Sequence, residues 1–198
     1  MGACVKIAYV TGDQRRDASL ALLCASVFGR ESGIEPLVEF AGASRLLDQE
    51  SARIVSLVDD REQLLSLALL TLEIEGRGVE LRLLTTPKAR RGRGYGRRLV
   101  SRLGEATAMR VATEDPRLEA FFKTFGFTHW YRMPDTARRV GFNARAGVEA
   151  LDEAPAVVDF SREAVLRAFK RDPALFERYK KRFVGGLSLS DALVQGQP

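Results

Sequence analysis

The chain has 198 residues, of which 45% are hydrophobic and 29% are charged, so its length and composition suit one globular domain. No apolar run is long enough to cross a membrane, and the first residues lack the charged region that precedes the apolar segment of a secretion signal, so we expect a cytoplasmic protein that does not bind membranes. The net charge of +5 favours an acidic ligand, and the two cysteines give neither a disulfide framework nor metal-ligand spacing.

Hydrophobic periodicity and turn residues divide the first half of the chain into strands and helices. The predicted segments are, in chain order, a strand at Val5–Val10, a helix that opens at Asp13 or Asp17, a loop region at Gly33 and Pro36, and strands at Ile54–Val58, Gln63–Ile74 and Val79–Thr86. The leucine-rich stretch 63–74 is also compatible with a helix, but its length and the glycines that follow favour a strand.

A glycine-rich turn follows the strand at Val79–Thr86. Gly92, Gly94 and Gly96 alternate with other residues and allow the backbone to turn tightly and to approach a ligand. A helical pattern starts near Gly94, and the first N–H groups of a helix have no partner within the helix. This order of strand, turn and helix is typical of a phosphate-binding site. Basic residues crowd the same window, at Lys88, Arg90, Arg91, Arg93, Arg97, Arg98 and Arg102.

The spacing of the turn excludes two common phosphate-binding loops. It lacks the dinucleotide pattern G-x-G-x-x-G, and Arg97 and Arg98 follow Gly96 where an ATP-binding loop has Lys and Ser or Thr. The turn instead resembles the acyl-CoA loop of the GNAT superfamily of N-acetyltransferases. The pattern of that loop, Arg/Gln-x-x-Gly-x-Gly/Ala, is matched by Arg91, Gly94 and Gly96. A solvated basic turn is the structural alternative.

A second match lies about 30 residues downstream. The segment Ala120–Phe127 looks like the helix-to-strand junction of the same family, A-x-F/L-Y-x-x-x-G-F. Asp115 is suited to cap a helix that begins at Pro116, and Gly126 is suited to end it in the left-handed conformation. The predicted buried stripe of this helix consists of Leu118, Phe121, Phe122 and Phe125.

The resemblance covers about residues 4–142 and implies an α/β fold with a mixed, centrally splayed sheet flanked by helices. It also implies acetyl-CoA as the co-substrate. By the resemblance, the pantetheine arm contacts the main chain of Leu84, Thr85 and Thr86. The residues implied to bind the pyrophosphate are Arg91, Gly92, Arg93, Gly94, Tyr95, Gly96 and Arg97. Two further cofactor positions of the family fall on Asp115 and Phe122.

Acyl transfer to an amine requires a group that accepts a proton at neutral pH. Glu80 lies 11 residues before Arg91, the spacing of the catalytic glutamate in the histone-acetylating branch of the family. Arg82 shares a strand face with Glu80 and would weaken this base, so a solubilising ion pair between the two is an equal alternative. The family tyrosine that protonates the leaving thiolate is replaced by Phe122, for which Tyr131 is a candidate substitute.

Several polar and aromatic residues follow this region. His129 is the single histidine, and we expect it to be structural because no partner set for His-dependent catalysis accompanies it. We predict no metal site, since no ligand cluster is present. The candidates to line an acceptor groove are Trp130, Tyr131, Arg132, Arg138 and Arg139, with burial in the core as their alternative.

Residues 151–198 lie outside the resemblance and are predicted to form a helical extension. One helix is capped by Ser161, and a second begins at Asp172-Pro173 and ends at Gly185-Gly186. These helices either pack against the core or a second subunit, as in a homodimer, or form a lid or docking surface. The residues that would then face an acidic partner are Lys170, Arg171, Arg178, Lys180, Lys181 and Arg182.

The sequence therefore predicts an acyl-CoA-binding domain at residues 1–150 and a helical extension at residues 151–198. The predicted enzyme is an N-acetyltransferase that moves the acetyl group of acetyl-CoA to a primary amine by direct attack. Its acceptor is a small molecule or a macromolecule. Two alternatives remain: an acetyltransferase for a nucleic-acid base or nucleotide amine, with nucleic acid bound by the basic C-terminal helices, or a non-catalytic CoA-binding or interaction module.

Overall fold

The computed structural model of the chain describes residues 5–29, 32–75, 77–134 and 136–195, so the predicted limits at residues 1 and 198 lie outside it. Within these ranges one sheet has the strand order β1-β2-β3-β4-β5-β7-β6. Its strands are β1 (Val5–Tyr9), β2 (Ala52–Asp59), β3 (Leu64–Leu72), β4 (Gly78–Thr85), β5 (Ala108–Thr113), β6 (Phe127–Arg132) and β7 (Arg139–Asn143). The α-helices are α1 (Asp13–Phe28), α2 (Glu35–Asp48), α3 (Tyr95–Ala106), α4 (Pro116–Lys123), α5 (Arg162–Arg171) and α6 (Pro173–Gln195).

The sheet separates at its centre. Strands β4 and β5 are parallel, whereas the other neighbouring strands are antiparallel. Pairing between β4 and β5 stops at Leu81 and Val111, although β4 continues to Thr85. Beyond this point the facing backbone groups of the two strands no longer bond one another and are open to other partners. The predicted α/β class, with a mixed, splayed sheet and a helical C-terminal extension, is confirmed.

A bulge in β4 lies beside this gap. Two consecutive residues of β3, Leu69 and Leu70, pair with Leu83 and Leu81 of β4, so Arg82 is an extra residue without a partner on β3. A bulge bends its strand and redirects the neighbouring side chains. In this protein the bend occurs where the sheet opens.

Helices cover both faces of the sheet with apolar side chains. On one face, α1, α2, α5 and α6 share a cluster in which Leu23, Phe40 and Tyr179 are buried. On the opposite face, α3 and α4 contribute buried Leu99 and Phe122. The C-terminal helices therefore belong to the main packing layer, with α6 lying along α1. None of the described helices has the length and apolar character needed to span a membrane.

Helix α2 replaces most of the loop region predicted around Gly33 and Pro36, so that prediction is wrong from Glu35 onward. Pro36 lies in the first helical turn, where its missing N–H group costs no intrahelical bond. The helix is buried on almost all sides and therefore lacks the polar face that makes a helix recognisable from sequence. Gly42 is required inside it, because a Cβ there would lie 2.1 Å from the Phe160 ring.

Strand β7 is not apparent from the sequence, because it is short and contains a glycine. The glycine is required by packing, since a Cβ at Gly141 would lie 2.5 Å from the indole ring of Trp130. The close contact with Trp130 on the neighbouring strand thus explains Gly141, although glycine is by itself unfavourable in a strand.

The predicted end of the last helix at Gly185 and Gly186 is wrong, because α6 continues to Gln195. A Cβ at Gly186 would lie 2.6 Å from the backbone oxygen of Asp17 in α1, whereas a Cβ at Gly185 would meet no atom of the described residues within 4 Å. Gly186 therefore permits close approach of the two helices and does not end α6.

Candidate functional site

A groove of about 480 Å³ opens beside the N-terminus of α3, at the splayed end of β4. It is lined by Arg90, by Phe121 and by most of the residues expected to bind the cofactor. The expected residues that line it are Leu84, Thr85, Thr86, Arg91, Gly92, Gly94, Tyr95, Gly96 and Arg97. The groove therefore joins the end of β4 to the glycine-rich turn in one site.

The backbone of the turn exposes hydrogen-bond donors to this groove. Gly92 and Gly94 have φ angles of 77° and 74°, in the left-handed region that favours glycine. Gly94 precedes α3, and the first bond within the helix runs from the N–H of Arg98 to the carbonyl of Gly94 at 2.9 Å. No side chain caps the helix, so the N–H groups of residues 95–97 have no acceptor among the described residues. Such a helix end binds anions.

Arginine side chains fix the turn and add positive charge. The Nε of Arg91 donates to the carbonyl oxygen of Thr86 at 3.0 Å, which ties the turn to the end of β4. The guanidinium of Arg97 lies over the Phe125 ring at 5.1 Å. Neither Arg91 nor Arg97 forms an ion pair with an acidic side chain in the described part of the chain. Their charge remains available to an anionic ligand.

Three residues expected at the cofactor do not line the groove: Arg93, Asp115 and Phe122. Arg93 is exposed in the turn, and Asp115 caps α4 by accepting from the N–H of Arg117 at 2.8 Å. Phe122 is buried against Phe127, with ring centroids 5.5 Å apart.

The side of α4 that meets the groove is shifted by one residue from the sequence expectation. Phe121 lines the groove and is 38% exposed, and Leu118 is 46% exposed. The predicted burial of Leu118 and Phe121 is therefore wrong, whereas Phe122 is buried in the core and Phe125, just beyond the end of α4, is partly buried against it. Gly126 ends the turn after α4 with a φ of 85°, as predicted. The sequence did contain one signal for this groove-facing surface: Leu118 and Phe121 are large apolar residues on a helix that also has charged residues on its surface.

The candidate general acids lie away from the groove. The hydroxyl of Tyr131 donates to backbone carbonyls, at 2.7 Å from that of Glu149, and so has a structural role. Phe122 has no proton to donate. His129 is exposed beside Thr128, 3.2 Å from its hydroxyl, and is not part of the groove. The tyrosine that does line the groove is Tyr95.

Glu80 lies in a small pocket of about 90 Å³ on the opposite face of the sheet. Its Oε2 accepts from Nε of Arg110 at 2.8 Å, and its Oε1 lies 3.7 Å from Nη2 of Arg138. The alternative expectation of an outward Glu80–Arg82 pair is therefore wrong. Glu80 is buried, and β5 supplies its closest cation because Arg110 is its direct partner on that strand.

Arg82 is held by α2 and by the segment that precedes α5. Its Nε donates to Oε1 of Glu39 at 2.5 Å, and its Nη1 donates to Oδ1 of Asp159 at 2.6 Å. Burial opposes the charge of this guanidinium, but the bonds to Glu39 and Asp159 outweigh burial and raise the pKa of Arg82. Arg82 is thus a fixed cation that anchors the C-terminal segment to the bulge in β4.

The segment 155–160 forms one wall of this pocket. Its backbone bonds to the end of β3, with the N–H of Val158 2.9 Å from the carbonyl of Leu72. Arg110 donates to the carbonyl of Pro155 at 3.0 Å. The pocket lining includes Val157 and Asp159 from this segment, together with Arg82 and Ala112, the residues directly after the last β4–β5 pair. The pocket therefore adjoins the separation of the strands from the side opposite the groove.

The other candidates for an acceptor groove divide between this pocket and structural roles. Arg138 lines the pocket. The indole of Trp130 donates to the carbonyl of Phe127 at 2.6 Å, and Arg139 pairs with Glu119 at 2.8 Å. These contacts stabilise the β6–β7 end of the sheet and do not contribute to the pocket.

Comparison with solved structures identifies the fold. A GNAT-family N-acetyltransferase of Escherichia coli, solved in complex with CoA, matches 83% of this chain and 94% of its own at 16% identity, with a TM-score of 0.54. An acetyltransferase of the GNAT family from Staphylococcus aureus matches 71% of this chain and 98% of its own at 10% identity, with a TM-score of 0.50. No protein-family model and no curated protein matches the sequence. The chain therefore has the fold of GNAT N-acetyltransferases.

Proposed function

We propose that this protein is an N-acetyltransferase that uses acetyl-CoA and acts on a primary amine. The observation that carries the proposal is the uncapped N-terminus of α3, which meets the splayed end of β4 in one arginine-lined groove. The fold it shares with GNAT N-acetyltransferases, one of which was solved with CoA, supports the same ligand.

The groove residues suit the two ends of the cofactor. The free N–H groups of residues 95–97 would bind the diphosphate, and the unpaired charges of Arg91 and Arg97 would balance it. The main chain of residues 84–86 would bond the pantetheine arm, because β5 no longer pairs with this part of β4. The thioester would then lie at the gap between the strands, within reach of the pocket that contains Glu80.

The proposed reaction is a direct transfer. The free amine attacks the thioester carbonyl carbon, a C–N bond forms, the C–S bond breaks, and the sulfur leaves as thiolate. The amine loses one proton to become an amide, and the thiolate takes up one proton to become CoA. Glu80 is the proposed proton acceptor, directly or through water, because its Oε1 has no hydrogen bond among the described residues. No side chain is assigned as the general acid. Because the pKa of a thiol is near 8.5, the thiolate is a good enough leaving group to depart without being protonated first.

An acetylation assay tests this proposal. The full chain is incubated with acetyl-CoA and primary amines, including lysine peptides, and both free thiol and acetylated product are quantified. The proposal expects equal amounts of thiol and acetyl-amine. If CoA binds and no amine is acetylated, the chain is a binding module and the proposal fails.

Exposed cations on the C-terminal helices favour a second candidate, an acetyltransferase whose amine belongs to nucleic acid. Two of the six expected partner-facing residues already have acidic partners, since Lys180 lies 3.4 Å from Glu177 and Arg182 lies 2.7 Å from Asp17. The remaining four are exposed and form no ion pair within the described ranges: Lys170, Arg171, Arg178 and Lys181.

Salt dependence of binding tests this candidate. Each phosphate neutralised contributes a slope of roughly 0.7 to 0.9 in a plot of log affinity against log salt. Binding of an RNA or DNA oligomer should show such a slope. The double variant Lys170→Glu, Lys181→Glu should abolish this salt-dependent binding. Binding that is unaffected by the double variant would exclude these helices as the nucleic-acid surface.

A further inference from the structure

The pocket around Glu80 presents charges of both signs, and the exposure of its charged side chains sorts them into two groups. Glu80, Arg82 and Arg110 have side chains that are 7%, 13% and 19% exposed, and each is already bound by an opposite charge. Asp159 and Arg138 are 56% and 46% exposed. The contacts of the first group hold the walls together, although Oε1 of Glu80 keeps no hydrogen bond among the described residues. The second group is the more exposed and is accessible to a ligand.

Asp159 has hydrogen-bonding capacity left for a cation. Its Oδ1 accepts from Arg82 and from the N–H of Phe160, at 2.6 Å and 2.7 Å. Its Oδ2 accepts from no donor within the described ranges. The carboxylate is held in place from one side and is open on the other, which preorganises it for an ammonium group.

Arg138 provides the opposite charge on the wall next to β7. Its nearest carboxylate among the described residues is Glu80, whose Oε1 lies 3.7 Å from Nη2, beyond hydrogen-bonding distance. A guanidinium in this position is suited to a carboxylate or phosphate of the ligand, because it donates in a planar fork. The backbone N–H of Arg138 bonds the hydroxyl of Thr136 at 3.2 Å, which steadies its position.

From this arrangement we infer that the acceptor is a small zwitterionic amine, such as a short amino acid, whose ammonium group binds Asp159 and whose acidic group binds Arg138. This inference rests on the proposed function and specifies its substrate class. The small volume of the pocket favours a short chain between the two groups. A simple monoamine leaves Arg138 unpaired, and a diamine places a second cation beside it, which costs free energy.

Turnover of three amines that each contain three carbon atoms tests the inference: β-alanine, propylamine and 1,3-diaminopropane. The expected kcat/KM is highest for β-alanine, by about tenfold or more over propylamine, which corresponds to one charge-assisted hydrogen bond. Diaminopropane should be the poorest. Arg138→Gln should remove the preference for β-alanine over propylamine, and Arg138→Lys should keep part of it. Asp159→Asn should raise KM for all three amines.

Arg145→Gln is the matched control, because it removes the same charge from an exposed residue that does not line the pocket. It should leave the preference unchanged. Equal or better turnover of propylamine or diaminopropane, or an Arg138→Gln variant that keeps the preference, would overturn the inference while leaving acetyl transfer itself intact. Absence of transfer to every amine would overturn both proposals.

Discussion

The groove beside α3 and the pocket around Glu80 lie on opposite faces of one sheet and are built differently. The groove is formed almost entirely by one contiguous stretch, residues 84–97, and offers mainly backbone groups. The pocket is assembled from β4, β5, β7 and the segment before α5, and offers mainly paired side chains. A backbone site tolerates side-chain exchange but is sensitive to chain conformation, and a side-chain site shows the reverse. The two sites can therefore be disrupted separately.

Gly94→Val should have the largest effect. Valine is strained at a φ of 74°, so the turn would change shape and its N–H groups would no longer converge. Loss of two or more charge-assisted hydrogen bonds lowers CoA affinity by about 1,000-fold or more. Titration calorimetry with CoA measures this effect.

Gly147→Val is the matched control, because Gly147 also has a left-handed φ, of 62°, and lies outside the groove. It should lose comparable stability and bind CoA normally. Equal loss of CoA binding in both variants would show that general strain, and not the turn, explains the result.

Glu80→Gln should have the next largest effect, on the other face of the sheet. The amide is isosteric but is not a base, so kcat should fall by about 100-fold, the lower end of the contribution of a general base. Affinity for CoA should be unchanged, because Glu80 does not line the groove. Steady-state kinetics and calorimetry check the two halves of the prediction, and unchanged kcat would remove Glu80 from the mechanism.

Gly186→Ala should affect stability. Its Cβ would lie 2.6 Å from a backbone oxygen of α1, and such overpacking costs about 1–3 kcal/mol of unfolding free energy. Gly185→Ala, one residue earlier, places its Cβ more than 4 Å from every atom in the part of the chain that the structure describes, and it should add about 0.5–1 kcal/mol to the unfolding free energy. Urea unfolding of both variants measures the difference. Equal stabilities would contradict the close packing of α6 on α1.

Glu73→Gln should show a small effect that depends on pH. Burial raises the pKa of Glu73, although Arg110 partly offsets it, so the folded state favours the protonated acid. The contribution of protonated Glu73 to the free energy of unfolding is therefore complete below the pKa of this carboxyl in the unfolded chain, about 4.3. It is lost as pH rises through the higher pKa of the folded chain.

The variant should accordingly raise Tm relative to the wild-type chain at pH 7 and much less at pH 4. Glu105→Gln, at an exposed position, is the control and should show no such pH dependence. Differential scanning calorimetry at the two pH values decides; an identical Tm difference at both would exclude burial of a charged carboxylate as the cause.

The same contrast explains what the sequence revealed. Local signals were sufficient for the glycine turn and for the helix caps at Asp115 and Ser161, each of which bonds an N–H group two or three residues ahead. The partner of Glu80 depends on strand register, and only the folded sheet places Arg110 beside it. The choice between Phe121 and Phe122 at the groove depends on the rotation of α4, which sequence periodicity did not resolve. Contacts between distant segments were therefore the unpredictable part.

The central claim is that the N-terminus of α3 and its glycine turn bind the diphosphate of acyl-CoA. Calorimetric titration of the folded chain with CoA and, separately, with pantetheine, which lacks the diphosphate, tests it most directly. We expect saturable 1:1 binding of CoA that is at least about 100-fold tighter than that of pantetheine. Equal affinity for the two ligands, or no saturable binding of CoA, would contradict it.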